Sequence, residues 1–140
     1  MVIRFFILLV SLSIGYSCTS TQEVISQEES AIFAGTFIVD TLYDRPIGGN
    51  DLNLKINDRT SKISGFSGCN TYSVAFTTAE NTITFSPAIG TKIYCGDEVM
   101  EKENQFLNIF GSPKEFSIKK DTLTLYNEGK EILKATRFIF

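Results

Sequence analysis

Histidine is absent from the 140-residue sequence, and so is tryptophan. Without histidine there is no imidazole base, no Ser-His-Asp or Cys-His pairing and no histidine zinc ligand, which excludes hydrolases of those types. Carboxylates, lysines and tyrosines remain, so the exclusion does not extend to enzymes that use them. Positive charge is also scarce: 13 Lys and Arg stand against 16 Asp and Glu, a net charge of −3. No basic stripe is left to displace counterions from a phosphate backbone, and nucleic acid is not an expected partner. Only three cysteines and three prolines are present. Phenylalanine, in contrast, is abundant, with 12 Phe beside 5 Tyr. The length suits one domain with a phenylalanine-rich core.

Residues 1–17 read as a bacterial export signal. Arg4 supplies a positive start, Phe5 to Val10 open an apolar run that continues among serines to Ile14, and small residues follow. The run is too short to span about 30 Å of hydrocarbon as a permanent helix. Gly15 and Ser17 ahead of Cys18 resemble the lipobox of bacterial lipoproteins. That resemblance implies cleavage before Cys18, a diacylglycerol on its sulfur and an acylated amino terminus, so that the membrane itself is a partner through the anchor. The competing reading is an ordinary secreted protein, cut elsewhere, in which Cys18 is incidental. Thr19 rather than Asp follows the cysteine, which leaves the outer membrane as the expected place in the cell envelope. Residues 18–33 are then the lipidated cysteine and a polar, flexible tether with a reach on the order of 40 Å when extended.

From residue 34 to residue 140 the chain reads as a single domain. Period-2 alternation marks the strands: Phe37, Val39 and Tyr43 on one face of the first, then Leu52, Leu54 and Ile56, then Tyr72, Val74 and Phe76. Further strands are expected at 62–66, 82–85, around Phe116 and Leu123, and near 132–138, with a tight hairpin at Lys120-Asp121. One segment follows a helical period instead. Val99, Met100, Phe106, Leu107 and Phe110 share a face over residues 97–110, with Asp97 as the expected N-cap and Gly111 and Pro113 as the stop. Met100, Phe106 and Phe110 are read as core. The expected fold is α+β: a curved, mostly antiparallel sheet of about seven or eight short strands packed on one α-helix.

Gly65-Phe66-Ser67-Gly68-Cys69-Asn70-Thr71-Tyr72 resembles the G-x-x-G-C-N-x-Y signature of the META domain, found in HslJ-like bacterial lipoproteins. Thr91 to Cys95, then Glu98, Glu101 and Glu103 leading into Phe106-Leu107, match the family's second landmark, and Asp121 to Tyr126 its closing hairpin. Phe37 stands where the family commonly has Trp, and Ile93-Tyr94 where it favours Met-Ala. The resemblance implies a small β-rich domain with one packed helix, a bacterial envelope location and a link to stress or antibiotic tolerance. It implies no catalytic residue.

Within the signature, Gly65 and Gly68 are expected to permit a bulge or a close backbone approach. The GxxG they form lacks the basic neighbours and helical flanks of a nucleic-acid clamp. Asn70 is expected to bond local backbone, with a ligand role as the alternative. With Cys18 acylated, Cys69 and Cys95 are the remaining pair, and in an oxidising envelope they read as a disulfide, with two free buried thiols as the alternative. Two thiols without histidine make no metal site, and no cofactor is implied.

Three functions compete on this basis. The first is a noncatalytic envelope lipoprotein that serves as a structural or protein-interaction domain, with an envelope protein as partner. The alternative is a binder of a small apolar ligand or lipid in a pocket between sheet and helix. The third, an enzyme using Asp40, Asp44 or Asp51 near the first turn, has little support, since these acids are also ordinary turn formers.

Overall fold

The computed structural model describes residues 33–49 and 51–139. Cys18 and the expected signal peptide lie outside the described residues, as does the tether up to residue 32. Among the described residues there are ten strands: β1 Gly35–Leu42, β2 Arg45–Pro46, β3 Asn53–Asn57, β4 Lys62–Phe66, β5 Thr71–Ala79, β6 Thr82–Phe85, β7 Ile89–Gly90, β8 Lys114–Lys119, β9 Thr122–Asn127 and β10 Lys130–Arg137. An α-helix, α1 (Asp97–Leu107), separates β7 from β8 and runs into a 3-10 turn at Asn108–Gly111.

The sheet is not an open curve laid over a helix, and the α+β expectation is corrected here. All pairings are antiparallel, and β1 pairs with β10 as well as with β3, so that eight strands close into a barrel in the order β10-β9-β8-β6-β5-β4-β3-β1. Alternation identifies strands but not their partners, and closure depends on the first and last strands presenting matching inner faces. They do: Phe37 lies opposite Arg137, Val39 opposite Ala135 and Leu42 opposite Leu133. An eight-stranded barrel is just wide enough to be filled by its own side chains. Phe37, Leu54, Ile63, Val74, Leu125 and Leu133 fill this one, each essentially buried.

A bulge breaks the period-2 alternation of β1. Between Val39 and Thr41 the β1–β10 register shifts by a residue, which sends every later side chain to the other face. Leu42 therefore enters the core, while Tyr43, expected inside, is 39% exposed with a positive φ of 50°. Asp40, at the bulge, accepts a hydrogen bond from the Thr136 hydroxyl at 2.7 Å.

The helix seals one mouth of the barrel. Phe106 and Phe110 turn inward against Tyr72 and Phe85 in edge-on and tilted contacts, with ring centroids 5.0–5.7 Å apart. Gly96, not Asp97, occupies the N-cap position and caps with no side-chain bond. Asp97 is the first helical residue, where its charge suits the helix dipole, and it accepts the Tyr94 hydroxyl at 2.6 Å. The α-helix ends at Leu107 rather than 110, and Ile109 and Phe110 reach the core from the 3-10 turn. At the other mouth Phe33 packs against Phe76 and Phe116.

Lys114, at the start of β8, is 5% exposed. Its ammonium donates to the Ser112 carbonyl at 3.3 Å and to the Ser112 hydroxyl. Burial holds the amine below its ordinary value of 10.5, an effect partly offset by the charge of Glu128. The native fold therefore disfavours the charged form, and its stability rises as pH climbs from the lowered folded value toward 10.5. Lys114→Met is expected to add about 1 kcal/mol of stability at pH 7. In urea titrations that gain shrinks as the pH approaches 10.5.

Candidate functional site

The signature residues converge beside the sealed mouth, each for its own steric or hydrogen-bonding reason. Gly65 lets β3 come close: a Cβ there would sit 2.2 Å from the Asn53 carbonyl oxygen. That same oxygen accepts the Tyr72 hydroxyl at 3.0 Å, and burial pushes the phenol's pKa well up. Asn53 Oδ1 accepts the Phe66 amide at 3.2 Å. Gly68 has a φ of 102°, a conformation that a side chain strains. It turns the chain so that the amides of Cys69 and Asn70 point together toward the helix.

Glu103 of α1 fills that concave array of amides. It is 4% exposed. Its Oε2 accepts the Ser67 hydroxyl at 2.6 Å, the Asn70 amide at 2.8 Å and the Cys69 amide at 3.3 Å. Its Oε1 accepts the Asn70 side-chain amide at 2.8 Å. Burial opposes ionisation, yet the bonds from Ser67, Asn70 and Cys69 outweigh it and hold the carboxyl below its ordinary value of 4.5. A carboxylate with this many donors is the stable form. The backbone amides of the loop thus form an anion nest whose anion is supplied by the protein's own helix.

Asn70 does more than bond local backbone. Its side chain reaches across to the segment that follows β7. Oδ1 accepts the Thr91 hydroxyl and the Ile93 amide, both at 2.7 Å, and Nδ2 donates to the Ile93 carbonyl at 3.0 Å. Cys69 joins Cys95 in a disulfide that spans 26 residues, with Cα atoms 5.9 Å apart. Residues 88–95 form a strap held by Asn70 in the middle and by the disulfide at its end. Removing both cysteines as Cys69→Ala/Cys95→Ala is expected to cost about 3 kcal/mol in the chain-entropy account. Because Asn70 still grips Thr91 and Ile93, hydrogen exchange should show those two residues as protected in the variant as in the native protein.

On the strap, Ile89, Ile93 and Tyr94 are 72%, 60% and 70% exposed. A cleft of about 350 Å³ lies between the strap and α1, with Met100 and Leu107 on its helical wall. Met100, expected in the core, is only half-buried there. A second, more polar groove of about 280 Å³ runs between α1 and the β2 turn.

The three acids near the first turn do not come together. Asp40 is bonded to Thr136, Asp44 pairs with Lys130 at 3.4 Å and Asp51 pairs with Lys102 at 3.0 Å. Among the described residues, no three metal-binding side chains converge. Glu103 and Ser67 organise the site, yet the sequence shows Glu103 only as one of three glutamates of the second landmark and Ser67 only as a variable position of the signature. The signal was present: Val99 and Phe106 of α1, continued by Phe110 of the 3-10 turn, define the inward stripe, and Glu103 occupies the place between Val99 and Phe106.

Comparison with known proteins bears on the fold and the family. Two solved structures share the fold at 16% identity. A protein of Burkholderia xenovorans studied by NMR has a TM-score of 0.62, with 96% of this chain and all of that one covered. A second NMR structure has a TM-score of 0.60, with 75% and 90% covered. No curated protein matches the chain. A family model for the META domain matches residues 34–137, the stretch in which every signature side chain is now accounted for, and the chain belongs to the META domain family.

Proposed function

We propose that this protein is a noncatalytic cell-envelope lipoprotein, anchored through Cys18 in the outer membrane, whose domain binds another envelope protein. A role in envelope stress or antibiotic tolerance goes with that reading. The observation that carries it is the strap: three large apolar side chains stand in solvent on a segment fixed by a disulfide and by Asn70. Ordering such a surface in advance lowers the entropic cost of association, and exposed apolar strips of this kind mark interaction sites.

In-cell photocrosslinking tests the reading. A crosslinker at Ile89 or Ile93 is expected to capture one reproducible partner, and the same group at Lys55 or Thr77, on the barrel's outer wall, is not. Equal capture from both regions, or none from the strap, sinks the proposal. The cleft beside the strap favours a second reading, a small apolar ligand or lipid. The delipidated, refolded protein would then retain or rebind a fatty acid, and failure to do so removes that reading.

A further inference from the structure

Barrel closure gives each of the eight barrel strands two neighbours, but among the described residues β7 has only β5. The short β2 also has one neighbour, yet its edge carries Pro46, which has no N–H to offer. Just after β7, the Thr91 amide donates to the Thr71 carbonyl at 3.1 Å. Tyr72 and Gly90 are therefore the adjacent, non-hydrogen-bonded pair of the ladder, and the Gly90 N–H and C=O point away from β5. Gly90 itself lines the cleft whose far wall is α1. A Cβ on Gly90 would lie 2.3 Å from the Thr71 oxygen, so glycine keeps this edge drawn tightly against the barrel.

Resting on the interaction reading above, we propose that the β7 edge receives an extended segment of the partner protein as an added strand. Apolar residues of that segment would alternate along it, and an acidic residue would lie near Lys92. Area decides against a second copy of this chain. A stable interface buries roughly 800 Å² per partner. One tyrosine, at about 150–250 Å² for an aromatic side chain, and two isoleucines fall well short of it. A short strand needs less, because main-chain hydrogen bonds supply affinity while pockets take alternate side chains. Ile89, Ile93, Met100 and Leu107 line the cleft for those side chains. Charge selects the flank: Lys92 is exposed and forms no ion pair among the described residues.

The test uses the full chain in detergent and a synthetic peptide of sequence Ser-Val-Glu-Val-Thr-Val-Ser. Its binding is followed by fluorescence anisotropy and by amide shifts in NMR. Saturable binding is expected, with shifts confined to residues 88–93 and to the facing side of α1. Methylating alternate peptide nitrogens should abolish it, and Lys92→Glu should weaken it. No saturable binding, equal binding of the methylated peptide, or shifts elsewhere on the barrel each overturn strand addition. If the peptide fails while crosslinking from Ile89 or Ile93 still captures a partner, the interaction reading stands and the strand mechanism falls.

Discussion

Replacing Glu103 with alanine is expected to lower the unfolding free energy by roughly 3–5 kcal/mol. That is a large share of the roughly 5–15 kcal/mol that a typical domain has. The loss comes less from the carboxylate than from the groups it leaves behind. The two loop amides and one N–H of the Asn70 side chain are aimed at one buried position and lose their acceptor, while Ser67 and the other Asn70 N–H keep only the Asn70 and Ile93 carbonyls. Glu103→Gln keeps the shape but places an amide NH₂ among donors, so it should recover only part of the loss. Acetate, added to the alanine variant, should restore stability in a saturable way, because the nest would regain an anion. Urea denaturation with and without acetate measures both effects. An alanine variant within 1 kcal/mol of the native protein would mean that the network is incidental.

The pH dependence follows from the same carboxylate. Its folded pKa lies below the ordinary 4.5, so the unfolded chain takes up the proton first as acid is added. The stabilisation is fully present above about pH 4.5 and is lost as pH falls through the folded value. Glu103→Gln has no such proton to bind. Its stability should therefore fall less between pH 5 and pH 3 than that of the native protein.

The second large effect is expected at Phe106, which is fully buried and stands edge-on to Tyr72 and Phe110. Phe106→Ala should cost about 3–5 kcal/mol through lost burial and the cavity it leaves. The loss should be felt unevenly. Hydrogen exchange across α1 should rise well before that of β9 and β10, since the helix is held to the barrel by this plug and by Glu103. Uniform loss of protection would show that helix and barrel open as one unit. A cost below 1 kcal/mol would show that the helix lies on the mouth without sealing it.

Much of this was legible in the residues, for identifiable reasons. Alternation located the strands around Leu54, Val74 and Leu123 because a barrel wall has one wet and one dry face, as a half-buried sheet does. Closure was not legible, since the β1–β10 pairing depends on register between distant segments, and no local period encodes it. Tyr43 was misplaced because the bulge at Asp40 leaves no mark in composition. The signature loop was visible as a motif, and its cysteine pair as a disulfide. Its purpose was not, because the partner that explains Ser67, Cys69 and Asn70 is a glutamate 33 residues or more away. A charged side chain breaking an apolar helical stripe is the trace such a partner leaves.

The pairing of the first strand with the last also sets the order of events in folding. Asp40 and Thr136 meet across 96 residues of chain, so the barrel cannot close until nearly all of the domain is available. Topologies dominated by such distant contacts fold in milliseconds to seconds rather than microseconds. A chain threaded through a membrane from its amino end would leave β1 paired on its β3 side alone until β10 had emerged. For that interval Phe37, Val39 and Leu42 would lack their last neighbours, and the exposed edge would be open to chaperones and to misassembly alike.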